Sequence, residues 1–576
     1  MVQDAVLPTS LLHPNSRGNS GVNLQKNIGV GEKSAAVIVL SLLVAIRVLY
    51  AFNYRIDSDE PQHLHVVWGW AHGLLQYRDV FDNHSPLFQM LCAPLFRAIG
   101  EHPWIVIPMR LAMLPLYLAD LWFMYQIGRA LYVQRWGVWM ALIGGCLPAF
   151  FLVTTEFRTD DLWTSLWLAA VWLAVSAPIE GRRAFLLGLV MGACFSVSMK
   201  TTLLLLSLAI AAVAILALHA LSRRGTDAAA LVKTSALVLA GLIIIPSILV
   251  AFFAANGALP QMYYCVITHN SVPGLGKWAK AGFHQWLFPL SLPVLLGLGW
   301  LCMHSSADER IGAGRALILI TCGAYYFLLR SYWPLVTAQD FIPILPLAAI
   351  AALSFVFHLL SLTGAPPRLL YPAAGLILIA GALAWCWRIQ SPLINKMRPF
   401  ERDLATVLHL TDPADYVMDG KGETIFRNRP IYWVLEGITI KRIALNLIPD
   451  DVIPQMIAKP TYVALDHRLR PADQTWLRAN FLEAQGKIWI AGRNLGPARP
   501  SIDFNTAIPG NYSFVSKGGA VRGTLDGAPL RDAQQLTAGG HKLDITSAKG
   551  IVEVVWSQAL QRGFNPFTKK ITGLTY

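Results

Sequence analysis

The chain has 576 residues, 55% of them hydrophobic and only 14% charged, with a mean hydropathy of +0.47. That balance excludes a soluble enzyme with a single membrane segment and indicates a polytopic membrane protein carrying some soluble mass. A formal charge of +13 would suggest nucleic-acid binding in a soluble protein, but much of the Lys and Arg falls in short connections between apolar runs, so the excess reports topology.

Residues 1–33 are polar and rich in Gly, Ser and Asn, and read as a cytoplasmic tail without a cleavable signal pattern. Apolar runs of about bilayer length then recur near 35–53, 104–128, 137–153, 162–177, 185–200, 202–220, 234–255, 286–303, 316–330, 341–360 and 370–388, predicting about eleven transmembrane helices. With the amino terminus inside, alternate connections collect Arg129 and Arg135, Arg182 and Arg183, Arg223, Arg224 and Lys233, Arg310 and Arg315, and Arg368. An odd number of crossings puts the first loop, 54–103, the stretch from Tyr263 to His284 and everything past about 390 on the outer side. In the first loop, Leu64, Val67, Trp68, Ala71, Leu74 and Leu75 have helical spacing, which predicts an amphipathic helix over 61–76 lying at the interface. A second surface helix is expected from Leu87 to Phe96. The helical part, 34–390, is followed by an α/β region over 391–498 and a β-rich region over 499–576, where short alternating strands are punctuated by Gly. All seven Cys lie between Cys92 and Cys386, which excludes a disulfide-stapled C-terminal domain.

Chemistry concentrates in the outer loops. Asp57-Ser58-Asp59-Glu60 follows the first span directly, where each carboxylate costs roughly 2.5 to 3.5 kcal/mol if drawn toward the bilayer centre, so the cluster needs either water or a task. Asp59 and Glu60 are candidates for acid/base work, with the Asp59 pKa expected to rise through burial and like-charged neighbours. Acids that cap the following helix, with Pro61 in its first turn, would produce the same pattern. Asp57, Asp59 and His63 could instead hold a divalent cation, Mg2+ or Mn2+, although nothing in the pattern requires one. Arg158, Asp160 and Asp161 crowd the loop after the third span, as a substrate contact or a self-neutralised cluster. Lys200 stands at the outer end of a span, placed to meet a phosphate or to snorkel. His269, Asn270, Lys277 and Lys280 form a basic, Gly- and Pro-rich loop suited to an anionic head group. Asp82 and His84 are candidate sugar or acceptor contacts.

The order of these features resembles the polyprenyl-phosphate-dependent glycosyltransferases of the C-type fold, especially bacterial relatives of protein O-mannosyltransferase and aminoarabinose transferase. Asp59-Glu60, Asn83-His84-Ser85-Pro86-Leu87, Arg158 to Asp161, Met199-Lys200-Thr201 and Phe341-Ile342-Pro343-Ile344-Leu345-Pro346 carry the resemblance, which spans roughly 35 to 390. Asn83 stands where relatives usually place an acid and Phe341 where they often have Tyr; Asp82 and Asp340 lie beside them. The resemblance implies a multi-pass enzyme of a bacterial inner membrane with its site facing the periplasm. It would move one sugar, with inversion, from a polyprenyl phosphate such as undecaprenyl phosphate to a glycan, lipid or protein acceptor. Asp59 would be the general base and Lys200 the cation for the leaving phosphate. A transporter or flippase of lipid-linked sugars is the competing class. Against it stand the long first outer loop, charge gathered on one face, and no evident inverted repeat.

Overall fold

The computed structural model describes residues 28–221, 227–272, 308–333 and 336–574. Every apolar run that falls on these residues is helical; the run at 286–303 lies outside them. Among the described residues, six helices are long and apolar enough to cross a membrane: Val30–Asn53, Val106–Leu131 (broken near Ala112), Thr201–Leu221, Ala228–Ala255, Glu309–Tyr332 and Pro367–Ile389. The remaining helices are shorter. The run at 137–153 breaks at Leu147 and Pro148 into Gln134–Gly145 and Pro148–Val153, because Pro starts a helix but cannot continue one.

Buried polar groups tie the helices together where hydrophobicity alone gives no register. Glu32 on the first helix accepts from Arg135 at 2.9 Å and from the Trp139 indole at 3.0 Å. Arg47 donates to the Phe151 carbonyl at 3.2 Å and to Thr154 at 3.0 Å, with its guanidinium 4.1 Å from the Tyr117 ring centre. Helices Gly181–Val197 and Ala228–Ala255 approach backbone to backbone: a Cβ at Gly188 would lie 2.0 Å from the Val238 carbonyl oxygen, and one at Gly241 2.2 Å from that of Phe185. Small residues permit such contact where lipid supplies no hydrophobic drive for association.

The long connection after the first helix holds two helices, Asp59–Ala71 and Leu87–Ile99. The first differs from the interfacial helix expected over 61–76. Residues from Glu60 to Gly69 are buried on every face, because residues of the C-terminal region lie across it: the Ile425 carbonyl is 2.8 Å from His65 Nδ1. Gly422 sits at φ +79° with its Cβ position 2.9 Å from His65 Cβ, so a side chain would both strain the backbone and collide. Leu87–Ile99 does expose an apolar stripe, including Leu91 and Leu95.

Past residue 390, helix Arg398–Leu410 leads into a sheet whose six-strand path runs Tyr416–Met418, Thr461–Leu465, Ile488–Pro497, Ile551–Trp556, Gly510–Ser516, Gln534–Leu536. The first pair is parallel and the others antiparallel. Strand Ile488–Pro497 pairs Thr461–Leu465 with its first half and Ile551–Trp556 with its second, so the α/β and β-rich regions share a sheet and a core. A second sheet, built on Ser501–Thr506, Gly539–Ser547 and Arg522–Leu525, packs against it through contacts such as Phe504 to Phe514.

Candidate active site

The acidic knot is wound on itself. Asp57 Oδ1 accepts the Asp59 N–H at 3.1 Å and Glu60 Oε2 accepts the Asp57 N–H at 2.9 Å, starting helix Asp59–Ala71 without a side-chain cap from Ser58. Glu60 points inward, without accessible surface. Arg110 donates Nε to its Oε1 at 2.7 Å and Nη2 to its Oε2 at 2.5 Å, and the Phe157 N–H adds a bond at 2.8 Å. Arg110 in turn holds the Tyr54 and Arg55 carbonyls at 2.9 and 2.7 Å.

Asp59 turns the other way. Its Oδ2 accepts from Arg158 at 2.8 Å, while Oδ1 accepts from Lys421 and, at 3.2 Å, from the Ser58 hydroxyl. Arg158 also reaches Asp57 at 2.6 Å, Asp160 at 3.0 Å and Glu156 at 3.7 Å. Asp160 lies within electrostatic reach of Lys200, which pairs directly with Asp340 and stands 5.9 Å from the Trp333 ring centre. Asp340 is fixed by the Thr337 N–H at 2.7 Å, at the start of the short turn Ala338–Phe341. Asp161 is spent locally, accepting the Arg158 N–H at 3.3 Å, and Phe341 packs against Tyr326.

A second arm runs from Lys421 to Glu436, 3.8 Å away, and on to Asn83, which donates to Glu436 at 3.0 Å and to Asn270 at 3.1 Å. Next to Asn83, His84 Nδ1 lies 2.7 Å from Asp82, a fully buried carboxylate that also accepts from Gln76 at 2.8 Å and Gln89 at 3.1 Å. The His63 and His84 rings are 4.8 Å apart, edge to face. His269 is buried, stacked on Trp433 at 5.6 Å and edge-on to Phe81, and faces protein rather than open space. Lys277 and Lys280 lie outside the described residues.

Asp59, Lys200 and His84 keep 26, 24 and 32% side-chain exposure, whereas Glu60, Asp82 and Asp340 keep none. The groups left accessible are therefore a carboxylate, an ammonium and an imidazole. Burial would raise the Asp59 carboxyl, but Arg158 and Lys421 outweigh it and hold the group well below the usual carboxylate range, the reverse of the expected direction. Burial likewise opposes charge on His84, yet Asp82, Asp59 and Glu436 raise it. Burial, with His84 and Arg158, pushes His63 well down, so that ring is neutral. Glu436 is raised by burial despite Lys421 beside it. No cluster of three or more His, Cys, Asp or Glu among the described residues is arranged to hold a metal ion, and Asp57 and Asp59 face Arg158 rather than each other across an open centre.

Two comparisons bear on what this arrangement is. A sequence profile of the dolichyl-phosphate-mannose-protein mannosyltransferase family matches residues 83–250. The structure of ArnT from Cupriavidus metallidurans in the apo state superposes with a TM-score of 0.53 at 12% identity, over 79% of this chain and 97% of that one. The same protein bound to undecaprenyl phosphate gives 0.51 at 13% identity with the same coverage. The chain has the C-type glycosyltransferase fold. Among curated proteins none matches it in sequence.

Among the described residues the polar site draws on several connections that are distant in sequence. Asp59, Arg158, Asp160, Lys200 and Asp340 form one chain of charges, and Asn83, Asn270 and His84 border it. Lys421 and Glu436 were not singled out from the sequence. The one local signal is Asp419-Gly420-Lys421-Gly422-Glu423, charges alternating with Gly in a polar stretch, and nothing in it points to a partner 362 residues earlier.

Proposed function

We propose that the chain transfers a single sugar, with inversion, from a polyprenyl phosphate donor such as undecaprenyl phosphate to a hydroxyl of a cell-envelope glycan, lipid or protein. In this reading the chain is a multi-pass protein of the bacterial inner membrane, the site and C-terminal region face the periplasm, and about eleven helices cross the bilayer. The observation that carries it is the gathering of accessible Asp59 and accessible Lys200, from separate connections, around Arg158, which pairs with Asp59 and Asp160, and Asp340, which pairs with Lys200. The solved relative bound to undecaprenyl phosphate supports a lipid phosphate donor.

The chemistry is a displacement at the anomeric carbon. The acceptor oxygen forms the new bond, its proton passes to an Asp59 oxygen, and the bond from that carbon to the phosphate oxygen breaks with its electron pair. Lys200, drawn from Asp340, meets the charge that develops on the departing phosphate, while Arg158 keeps Asp59 aimed. A hydroxyl entering at Oδ1 displaces Lys421, and loss of that cation strengthens Asp59 as a base when substrate is bound. Among the described residues Asp57, Asp59 and His63 form no three-ligand group.

Wild-type chain in nanodiscs, given undecaprenyl phosphate bearing a radiolabelled sugar and an envelope extract, should release undecaprenyl phosphate and label an extract component without redistributing lipid-linked sugar between leaflets. Redistribution without transfer would favour the flippase.

Lys421 gives this reading a pH signature. With Asp59 held low, the acid limb of kcat/KM lies below the usual carboxylate range, and activity persists while pH falls through about 5. Lys421→Met removes one cation, raises the folded-state Asp59 pKa, and should move that limb upward by about one to three pH units. An unmoved limb would detach Lys421 from the base.

A further inference from the structure

One short helix of the C-terminal region has its polarity reversed for a surface in water. On Gly437–Ala444, Ile438, Thr439 and Arg442 are buried, while Ile440 is 39% exposed and Ala444, one turn on, is exposed beside it. At about 100° per residue the two sets lie on opposite faces. Polar contacts hold the inward face: Arg442 donates to the Thr268 carbonyl and, at 3.2 Å, to that of His269, its guanidinium stands 5.6 Å from the Tyr264 ring centre, and the Thr439 hydroxyl lies 3.3 Å from His269 Nε2. The helix then ends in a fixed turn. Asn446 takes φ +53°, its N–H bonds the Ile443 carbonyl at 2.9 Å, and the Leu447 N–H bonds the Arg442 carbonyl at 2.9 Å, the paired closure of a left-handed helix end. A side chain in the place of Leu447 commonly packs on the one in the place of Arg442. Here Arg442 is turned inward, and Leu445 and Leu447 are left 42 and 47% exposed.

The packing of this helix fixes its height. Val434, three residues before it, belongs to one buried cluster with Tyr77, Cys265 and Phe253, the last of these near the end of the span Ala228–Ala255. That end is on the side of the site, since the Phe253 and Tyr77 rings are 5.0 Å apart and the Tyr77 hydroxyl donates to the His84 carbonyl at 2.6 Å. Three residues reach about 11 Å at most, and the head-group layer is about 5 to 8 Å deep on each side of the hydrocarbon, so Gly437 starts close to the membrane surface. Exposed apolar side chains lead the same way along the chain, from Ile248 and Val250 on the span to Tyr263 just before the turn that Arg442 grips. In water such a patch costs free energy in proportion to its area, and the nearest apolar medium is the acyl boundary. Asp450 and Asp451 follow the patch, so attraction to anionic head groups is not what would seat it.

We infer that residues 437–447 lie in the bilayer surface on the side of the site, with Ile440, Ala444, Leu445 and Leu447 against the head-group ends of the acyl chains. The partner is the lipid surface itself. The C-terminal region is thereby seated on lipid as well as on the helical part, and the seat adjoins the site: Glu436, the residue before this helix, lies 3.8 Å from Lys421 and accepts from Asn83 at 3.0 Å. The inference needs only the membrane setting and stands or falls apart from the transferase reading.

The test uses the full chain in phosphatidylcholine nanodiscs. Leu447→Cys is labelled with the environment-sensitive nitrobenzoxadiazole group, wild type is labelled in parallel to subtract its own thiols, and Arg531→Cys, exposed in the β-rich region, is the reference. Phosphatidylcholine carrying a doxyl group near the head of its acyl chain should quench the label at position 447 about twofold or more, with blue-shifted emission, and leave the label at position 531 unquenched. Quenching at 447 no greater than at 531 overturns the inference. Blue-shifted emission without quenching overturns it too, because a protein, either a second copy or another chain, would then cover the patch. Ile440→Cys, read in the same way, decides the matter if Leu447→Cys does not keep the wild-type thermal midpoint.

Discussion

Asp59→Asn should abolish measurable sugar transfer, lowering kcat by about 10²- to 10⁴-fold, the range a positioned general base supplies. The substitution keeps size and shape and removes the proton-accepting charge. The fold should survive, because each partner of Asp59 has another: Arg158 keeps Asp57 and Asp160, and Lys421 keeps Glu436. Single-turnover transfer from a radiolabelled polyprenyl phosphate sugar, read beside the thermal midpoint in the same detergent, separates chemistry from folding. Near-normal transfer by a well-folded Asn variant would remove Asp59 from the reaction.

One residue on, the expected result is the opposite. Glu60→Gln should fail first as a folded protein, losing about 3 to 5 kcal/mol, because it strands the Arg110 guanidinium in a place without water. The glutamine can offer one carbonyl oxygen where the carboxylate takes four donors: two from Arg110 and the N–H groups of Asp57 and Phe157. Removing both charges in Glu60→Gln/Arg110→Met should recover part of the loss, since the penalty comes from the unpaired charge more than from the missing attraction. The readout is the yield of monodisperse protein and its thermal midpoint. A Glu60→Gln variant that keeps its midpoint but loses transfer would give Glu60 a part in catalysis instead.

Much of this was legible from sequence because it depends on local pattern. The apolar runs on the described residues fold as helices, and the acids and bases that interrupt them mark connections that meet around Arg158. What escaped depends on contacts distant in sequence. Helix Asp59–Ala71 reads as amphipathic, with Gln62, His63 and His65 on the face that looks solvent-bound. The C-terminal region covers that face, so polar positions became interior ones. The direction of the Asp59 shift was misread for the same reason. Like-charged neighbours are visible in the sequence, whereas Arg158 and Lys421, which outweigh them, arrive from 99 and 362 residues away. The join between the α/β and β-rich regions was hidden too, since composition changes near 498 while hydrogen bonding along Ile488–Pro497 continues through it.

The crossing of the Lys421 loop over the first outer helix also sets a schedule. As the polypeptide emerges from the ribosome, Asp59 and Arg158 can meet long before residues 421 to 436 have been translated. The ammonium that restrains the carboxylate is among the last parts delivered. Assembly of the site is thereby tied to arrival of the final third of the molecule, and a prematurely terminated product would carry the Asp59 carboxylate without the Lys421 ammonium.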